Sequence, residues 1–295
     1  MIEQGMLDRI TQGKGFIAAL DQSGGSTPKA LKGYGIEDGA WSSDEEMFDL
    51  IHQMRVRIVT SPSFSGEKVL GAILFERTMD GMAEGKPVPT LLRERGVVPF
   101  IKVDQGLLDE ADGVQRMKPI PALDALLVRS KALGVVGTKM RSVIQSANPA
   151  GIAAIVAQQF EIGNRIADAG LMPILEPEYN IKAPDRAEGE KILRDEILKA
   201  LDALPEGRSV MLKLSLPVEP CLYQPLVDHP AVARVVALSG GFNRPEACAE
   251  LAKNNGVIAS FSRALLEDLR ATADDQEFDA ALGAAIDEIY QASIV

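Results

Sequence analysis

The sequence predicts an α/β fold of eight parallel strands closed into a (β/α)8 barrel, a TIM barrel. One domain would span residues 1–295, with a helix before the first strand and another after the last. Three observations carry this expectation. Eight short apolar runs recur along the chain, each of strand length and rich in aliphatic residues. Their apolarity is continuous rather than alternating, as in parallel strands covered on both faces. Longer amphipathic stretches separate most of them, giving the β/α alternation of a barrel. Charges and hydroxyls collect at the C-terminal ends of the runs, the rim where such barrels carry their chemistry.

The runs are "GFIAAL" (15–20), "VLGAILF" (69–75), "VVPFIKV" (97–103), "GVVGTKM" (134–140), "LMPILEP" (171–177), "SVMLKLS" (209–215), "VARVVALS" (232–239) and "GVIASFS" (256–262). Helical signals fall between them. Ser43 and Glu46 have the spacing of a capping box ahead of "DEEMFDLIHQMRVRI". A second helix is expected from Pro121 to Gly134, where the proline suits a first turn and the glycine a stop. Others are expected at 148–170, 185–204 and 243–256. The last, at 274–292, places Phe278, Ala281, Leu282, Ala285, Ile286, Ile289 and Tyr290 on one face. An open doubly wound sheet would share the alternation, but no G-x-G-x-x-G follows the first strand.

Composition narrows the function classes. With 31 basic and 42 acidic residues the net charge is −11, which argues against nucleic acid as the main partner. A small positive pocket for an anionic substrate remains compatible with that balance. Two cysteines, Cys221 and Cys248, allow no framework of bridges and favour a reducing compartment. The opening "MIEQGMLDRI" lacks the pattern of a signal peptide, and no run reaches the length of a membrane span. A cytoplasmic location without membrane partners is therefore expected. Only His52 and His229 occur, too few for the His-rich zinc sites of metal-dependent lyases and hydrolases.

The rim residues, taken in order, are Asp21; Glu76; Lys102 and Asp104; Lys139 and Arg141; Glu176 and Glu178; Lys213 and Ser215; Ser239-Gly240-Gly241; and Ser260, Ser262 and Arg263. Each alone has a structural explanation, since a lysine near a strand end reaches water and a Gly-Gly pair makes a turn. Together they converge. Strand alternation points Lys102, Lys139 and Lys213 inward, with Met211, Lys213 and Ser215 on one face and Val210, Leu212 and Leu214 on the other. Crowding and burial both depress a lysine pKa, and a neutral amine can attack a carbonyl to form an imine, an electron sink for carbon–carbon cleavage. Carboxylates on neighbouring strands would move protons. Arg263 and backbone N–H groups near glycine would hold phosphate. The pattern suggests Schiff-base chemistry on a phosphorylated sugar with no metal.

The motifs "ALDQSGGS", "GAILFERTMD", "VVPFIKVDQG", "GTKMRS", "PILEPE", "VMLKLSLP", "VVALSGG" and "SFSRAL", in this order, resemble the class I fructose-bisphosphate aldolases, in particular their shorter bacterial form. The likeness runs over nearly the whole chain. It implies reversible cleavage of fructose 1,6-bisphosphate to dihydroxyacetone phosphate and glyceraldehyde 3-phosphate, in glycolysis or gluconeogenesis, without a metal or other cofactor. It places the imine lysine at Lys213, the proton-shuttling glutamate at Glu176 with Glu178 beside it, the charge-supporting lysine at Lys139 with Arg141 following, and the aspartate for the C4 hydroxyl at Asp21. Lys102 matches a second active-site lysine. Ser239, Gly240 and Arg263 match the cradle of the C1 phosphate, and Ser23 and Ser26 a serine loop near the other phosphate. The partner implied is a small sugar phosphate, and a homo-oligomer is compatible with the resemblance. The chain departs from the larger animal enzymes in three places. Lys29 is followed by Ala30 where they have arginine, Ser262 stands where they have glycine, and the end "IYQASIV" lacks their terminal tyrosine. An aldolase for another ketose bisphosphate, such as tagatose 1,6-bisphosphate, a metal-dependent aldolase and a non-catalytic scaffold are the rival readings.

Overall fold

The computed structural model describes residues 4–295, so the first three residues of the expected domain and of the opening segment lie outside the described residues. Eight parallel strands form the barrel: β1 (Phe16–Leu20), β2 (Val69–Leu74), β3 (Val98–Lys102), β4 (Gly137–Ile144), β5 (Met172–Tyr179), β6 (Val210–Ser215), β7 (Val232–Leu238) and β8 (Val257–Ala259). They pair in sequence order. The amide of Ala19 donates to the Phe261 carbonyl at 3.1 Å, joining β1 to the chain that leaves β8 and closing the ring.

All eight expected strands are present, with shifted ends. β4 begins at Gly137 instead of residue 134 and continues to Ile144, and β5 continues to Tyr179. Arg141 and Glu178 are therefore paired strand residues and not loop residues. Three short pieces lie outside the eightfold pattern: an antiparallel Met82–Ala83/Lys86–Pro87 hairpin, and Val114–Gln115 paired antiparallel to the end of β4. Two-residue strands carry too little apolar pattern to be seen in sequence.

The helices are α1 (Gln4–Gln12), α2 (Ser26–Gly33), α3 (Asp44–Thr60), α4 (Glu76–Met79), α5 (Val88–Glu94), α6 (Leu123–Ala132), α7 (Pro149–Asp168), α8 (Arg186–Asp202), α9 (Gln224–Val227), α10 (Arg244–Leu251), α11 (Arg263–Leu266) and α12 (Asp275–Ser293). Caps set their starts. The Asn148 side chain accepts from the amides of Ala150 and Gly151 ahead of α7. Asn243 with Glu246, and Asp274 with Glu277, form reciprocal capping boxes at α10 and α12. The box expected at Ser43 is only half formed. Ser43 accepts from the Glu46 amide, but the Glu46 carboxylate turns to the amide and hydroxyl of Ser42. On α12, Phe278, Leu282, Ala285, Ile286 and Ile289 are buried, while Ala281 and Tyr290 sit at the margin of the same core.

The barrel interior is layered by strand periodicity. Ile17, Val98, Phe100, Met172, Ile174, Met211, Val236 and Ile258 fill its lower part as one buried cluster. Phe100 reaches the axis because its neighbours give way. A Cβ on Gly137 would lie 2.7 Å from the Phe100 ring, and one on Gly71 3.1 Å from it. Ile10 of α1 joins this cluster from below. Arg234 at the start of β7 secures the plug, donating to the carbonyls of Ile10 at 3.0 Å and Gly13 at 2.9 Å.

Candidate active site

The inward rows that are hydrocarbon below become polar two residues higher. Ile17 and Ala19 lead to Asp21, Phe100 to Lys102, Gly137 to Lys139 and Arg141, Ile174 to Glu176 and Glu178, Met211 to Lys213, and Ile258 to Ser260. These side chains converge on a cavity of about 1080 Å³ at the C-terminal mouth of the barrel. Every residue assigned a role from sequence lines it: Asp21, Ser23, Ser26, Lys102, Lys139, Arg141, Glu176, Glu178, Lys213, Ser239, Gly240 and Arg263. Glu76, the rim residue after β2, does not line it and pairs instead with Arg129 of α6.

Lys139 is the hub. Its Nζ lies 2.7 Å from Asp21 Oδ2, 2.7 Å from Glu176 Oε2 and 4.0 Å from Asp104 Oδ2. Lys213 Nζ lies 3.1 Å from the other oxygen, Oε1, of the same Glu176. One carboxylate therefore bridges two buried lysine nitrogens. Burial works against the charge on Lys139, but Asp21, Glu176 and Asp104 outweigh it and hold the pKa well above the lysine range. Burial likewise opposes the charge on Asp21, and Lys139, Lys213 and Lys102 outweigh it, holding that carboxyl well below the usual carboxylate range. This corrects the expectation that crowded lysines depress one another. Lys139 meets three carboxylates before it meets another lysine, so it stays a cation.

The strands around Lys213 are spread. β5 and β6 are paired only at Ile174–Met211 and Leu175–Leu212, so the ladder ends just below Glu176 and Lys213. Ser215 spans the gap above them, accepting from the Tyr179 amide at 3.0 Å and donating to the Tyr179 carbonyl at 2.7 Å. Its place is structural, although its face of β6 is that of Lys213. Ser260, 1 % exposed at the cavity wall, has no hydrogen-bond partner for its hydroxyl.

Other expected residues are committed to one another. Lys102 donates to the Asp104 carbonyl and to Asp104 Oδ1, both at 2.6 Å. Asp104 also accepts from the Arg141 amide at 3.1 Å. Glu178 pairs with the Arg141 guanidinium and not with either buried lysine. Ser23 and Ser26 close a turn, with the Ser26 hydroxyl accepting from the Ser23 amide at 2.9 Å and donating to its carbonyl at 2.8 Å. Gly240 has φ of +61°, and a Cβ there would lie 2.6 Å from Ile181, so the turn after Ser239 requires glycine.

Three groups that organise the site had no role assigned from sequence. Asp104 anchors Lys102 and faces Lys139. Arg55, fully buried on α3, donates to the backbone carbonyl of Gln22, to Gln22 Oε1 at 3.2 Å and to Thr78 at 3.0 Å. Gln22 in turn donates to the Ser262 hydroxyl at 2.6 Å. The chain Thr78–Arg55–Gln22–Ser262 ties the segments carrying Asp21 and Arg263 together. Burial lowers the Arg55 pKa to about 10, with Asp21 opposing the drop. A signal for Arg55 existed in sequence, since it shares the helical face of Ile51, Met54 and Ile58.

Among the described residues no helix is long and apolar enough to cross a membrane. The fold matches that of fructose-bisphosphate aldolase from Plasmodium falciparum, solved in complex with TRAP and a small-molecule inhibitor. The TM-score is 0.79 and the identity 22 %, over 97 % of this chain and 92 % of that one. A Corynebacterium glutamicum protein, Cgl0159, matches with a TM-score of 0.58 and 16 % identity over 98 % of this chain and 92 % of its own. The family model "Fructose-bisphosphate aldolase class-I" matches residues 5–213, a span that takes in Asp21, Lys102, Lys139, Glu176 and Lys213 and ends before Ser239, Gly240 and Arg263. By that match, on a barrel whose mouth gathers the residues its motifs single out, the chain belongs to the class I fructose-bisphosphate aldolase family.

Proposed function

We propose that this lyase cleaves fructose 1,6-bisphosphate reversibly to dihydroxyacetone phosphate and glyceraldehyde 3-phosphate through an imine on Lys213, with no metal or other cofactor. The observation that carries the reading is the shared carboxylate: Glu176 touches Lys213 with one oxygen and Lys139 with the other. Lys139 stays charged, so Lys213 is the lysine free to become the amine. Proton transfer from Lys213 to Glu176 across 3.1 Å produces a nucleophile and a carboxylic acid together. The amine attacks the C2 carbonyl. The Glu176 proton then goes to the carbinolamine hydroxyl, which leaves as water, and an iminium ion remains.

Carbon–carbon cleavage uses that iminium as electron sink. Glu176, again a carboxylate, takes the C4 hydroxyl proton while Asp21 orients that hydroxyl and Lys139 supports the negative charge developing on its oxygen. The C3–C4 electron pair moves into the enamine, and the aldehyde leaves. Protonation at C3 and hydrolysis of the iminium release the ketone and restore Lys213. Ser239, Gly240 and Arg263 would hold the C1 phosphate. The acidic net charge of the chain fits a cytoplasmic enzyme of sugar-phosphate metabolism.

Borohydride trapping with dihydroxyacetone phosphate, followed by peptide mapping, tests the assignment. An adduct on Lys213 is expected. An adduct on Lys139 or Lys102 would overturn the assignment of the nucleophile, and none in folded protein would overturn imine chemistry. Cleavage rates for fructose and tagatose bisphosphates decide the substrate.

A further inference from the structure

β6 is secured on one side only. Toward β7 its ladder runs on through Lys213 and Ser215, paired with Val236 and Leu238. Toward β5 it stops at Leu212, and the 3.1 Å contact between Lys213 and Glu176 lies across the open side. Beyond Leu212, side chains set the width of that gap. Ser215 bridges it from within the sheet. A second bridge lies behind the sheet, on the first turns of α8.

Asp185 stands at the N-cap of α8 without capping it. Its carboxylate accepts instead from the Ala147 amide at 2.8 Å, past the end of β4, and from the Tyr179 hydroxyl at 3.4 Å, at the end of β5. Gly189 lets that ring lie against the helix, since a Cβ there would be 1.9 Å from the hydroxyl. Arg186 and Glu190 then reach the chain that leaves β6. The Arg186 guanidinium donates from Nη2 to the Leu216 carbonyl and from Nε to Glu190 Oε1 at 2.6 Å. Glu190 Oε2 accepts from the Val218 amide at 2.8 Å. The two backbone groups held in this way follow closely on Lys213 along the chain.

In sequence, an arginine and a glutamate four apart on a helix read as a solvated pair of small effect. The Lys191–Glu219 pair, between the same two segments, is of that kind and lies at the surface. Arg186 and Glu190 are instead 7 % and 0 % exposed. Burial pushes the Glu190 carboxyl above the usual carboxylate range, and the Val218 amide and Arg186 only partly offset it. Apolar side chains of similar volume stabilise a fold at least as well as such an enclosed pair. They cannot hold one carbonyl and one amide at set distances. We infer that Arg186 and Glu190 are positioning residues: through Leu216 and Val218 they hold the open side of β6, so that Lys213 stays within proton-transfer reach of Glu176. This inference rests on the proposed function. Neither residue lines the cavity, so the pair governs the rate of imine formation and not affinity. A displacement of about 1 Å at Lys213 is enough to cost on the order of 10²-fold in rate.

The test compares wild type with Arg186→Met/Glu190→Met, with Arg186→Lys and with Lys191→Met as control. Single-turnover borohydride trapping with dihydroxyacetone phosphate gives the rate of imine formation. Calorimetry with an uncleavable hexitol 1,6-bisphosphate gives affinity, and denaturant titration gives stability. The double variant keeps the buried volume, so its denaturant midpoint should stay near that of wild type. Trapping should nevertheless slow at least about tenfold, with Kd within about twofold of wild type. Lys191→Met should change none of the three. Should the double variant fail to fold, Arg186→Lys decides. Its ammonium keeps a charge beside Glu190 but lacks the fork that also holds the Leu216 carbonyl, so trapping should still slow at least about threefold. Lower stability with an unchanged trapping rate in the folded protein would make the pair structural and overturn the inference, as would equal losses of rate and affinity. If wild type gives no adduct on Lys213, the imine reading falls and this inference with it. If wild type is trapped there and the variants are trapped as fast, the imine reading stands and only the positioning role falls.

Discussion

The lower and upper halves of the barrel interior are made by the same strands two residues apart, yet they obey opposite rules. Below, Phe100, Met172, Ile174 and Met211 exclude water and need only volume. Above, Lys139, Glu176 and Lys213 are also buried and Lys102 is partly so, and each needs a particular partner. The dry layer fixes where the strands stand, and the strands fix the distances among charges that no sequence neighbour supplies. Stability is concentrated in one layer and chemistry in the other.

Substitutions at matched depths would break or sharpen that division. Lys213→Ala should abolish imine trapping and lower kcat by at least about 10³-fold, as loss of an enzyme nucleophile does, with the fold intact by circular dichroism. Glu176→Gln should lower kcat by about 10²–10⁴-fold and slow the trapping step, because the amide cannot carry the proton. Single-turnover trapping rates would show this. Phe100→Ala, one layer down on β3, should behave oppositely. It leaves the charged groups in place and costs about 3–5 kcal/mol in denaturant titration, since Gly71 and Gly137 offer nothing to refill the space. A Phe100→Ala variant as stable as wild type would refute the division.

The pH dependence of stability follows from Asp21 and Lys139. The Asp21 pKa is depressed in the folded chain, so its contribution is complete above the unfolded value of about 3.9 and is lost as pH falls below it. The Lys139 pKa is raised, so its contribution is complete below the unfolded value of about 10.4 and is lost as pH rises above it. Between these limits the pair should add no slope, and Asp21→Asn should flatten the acid limb. Denaturant titrations from about pH 2 to about pH 11 check this. The smallest effect is expected at the rim. Ser262→Ala deprives the Gln22 amide of an acceptor and should cost about 1 kcal/mol, with a few-fold rise in KM and little change in kcat.

Much of this molecule was legible in its sequence. Strand length and continuous apolarity marked β1 to β8. Period-two alternation aimed Lys139 and Lys213 inward with Met211 beneath, which explains a lysine inside "SVMLKLSLP". Of the rim residues singled out along the chain, all but Glu76, Ser215 and Gly241 line one cavity. The extent of β4 and β5 was not legible, because polar Arg141 and Glu178 continue a ladder whose hydrogen bonds are made by backbone. Nor was the role of Asp104, although it follows Lys102 by two residues. Its importance comes from Arg141 and Lys139 on the next strand.

By itself, then, the sequence determined the order of the elements, the inward row of each strand and the residue types at the rim, since all of these follow from local periodicity. Only the tertiary structure decided which charges meet. Lys139 was expected to be lowered by its lysine neighbours and is instead raised, because Asp21, Asp104 and Glu176 reach it from three other strand ends. A pKa is a sum over distances of a few ångströms in a medium of low polarity. Those distances join residues far apart in the chain, and strand packing alone sets them.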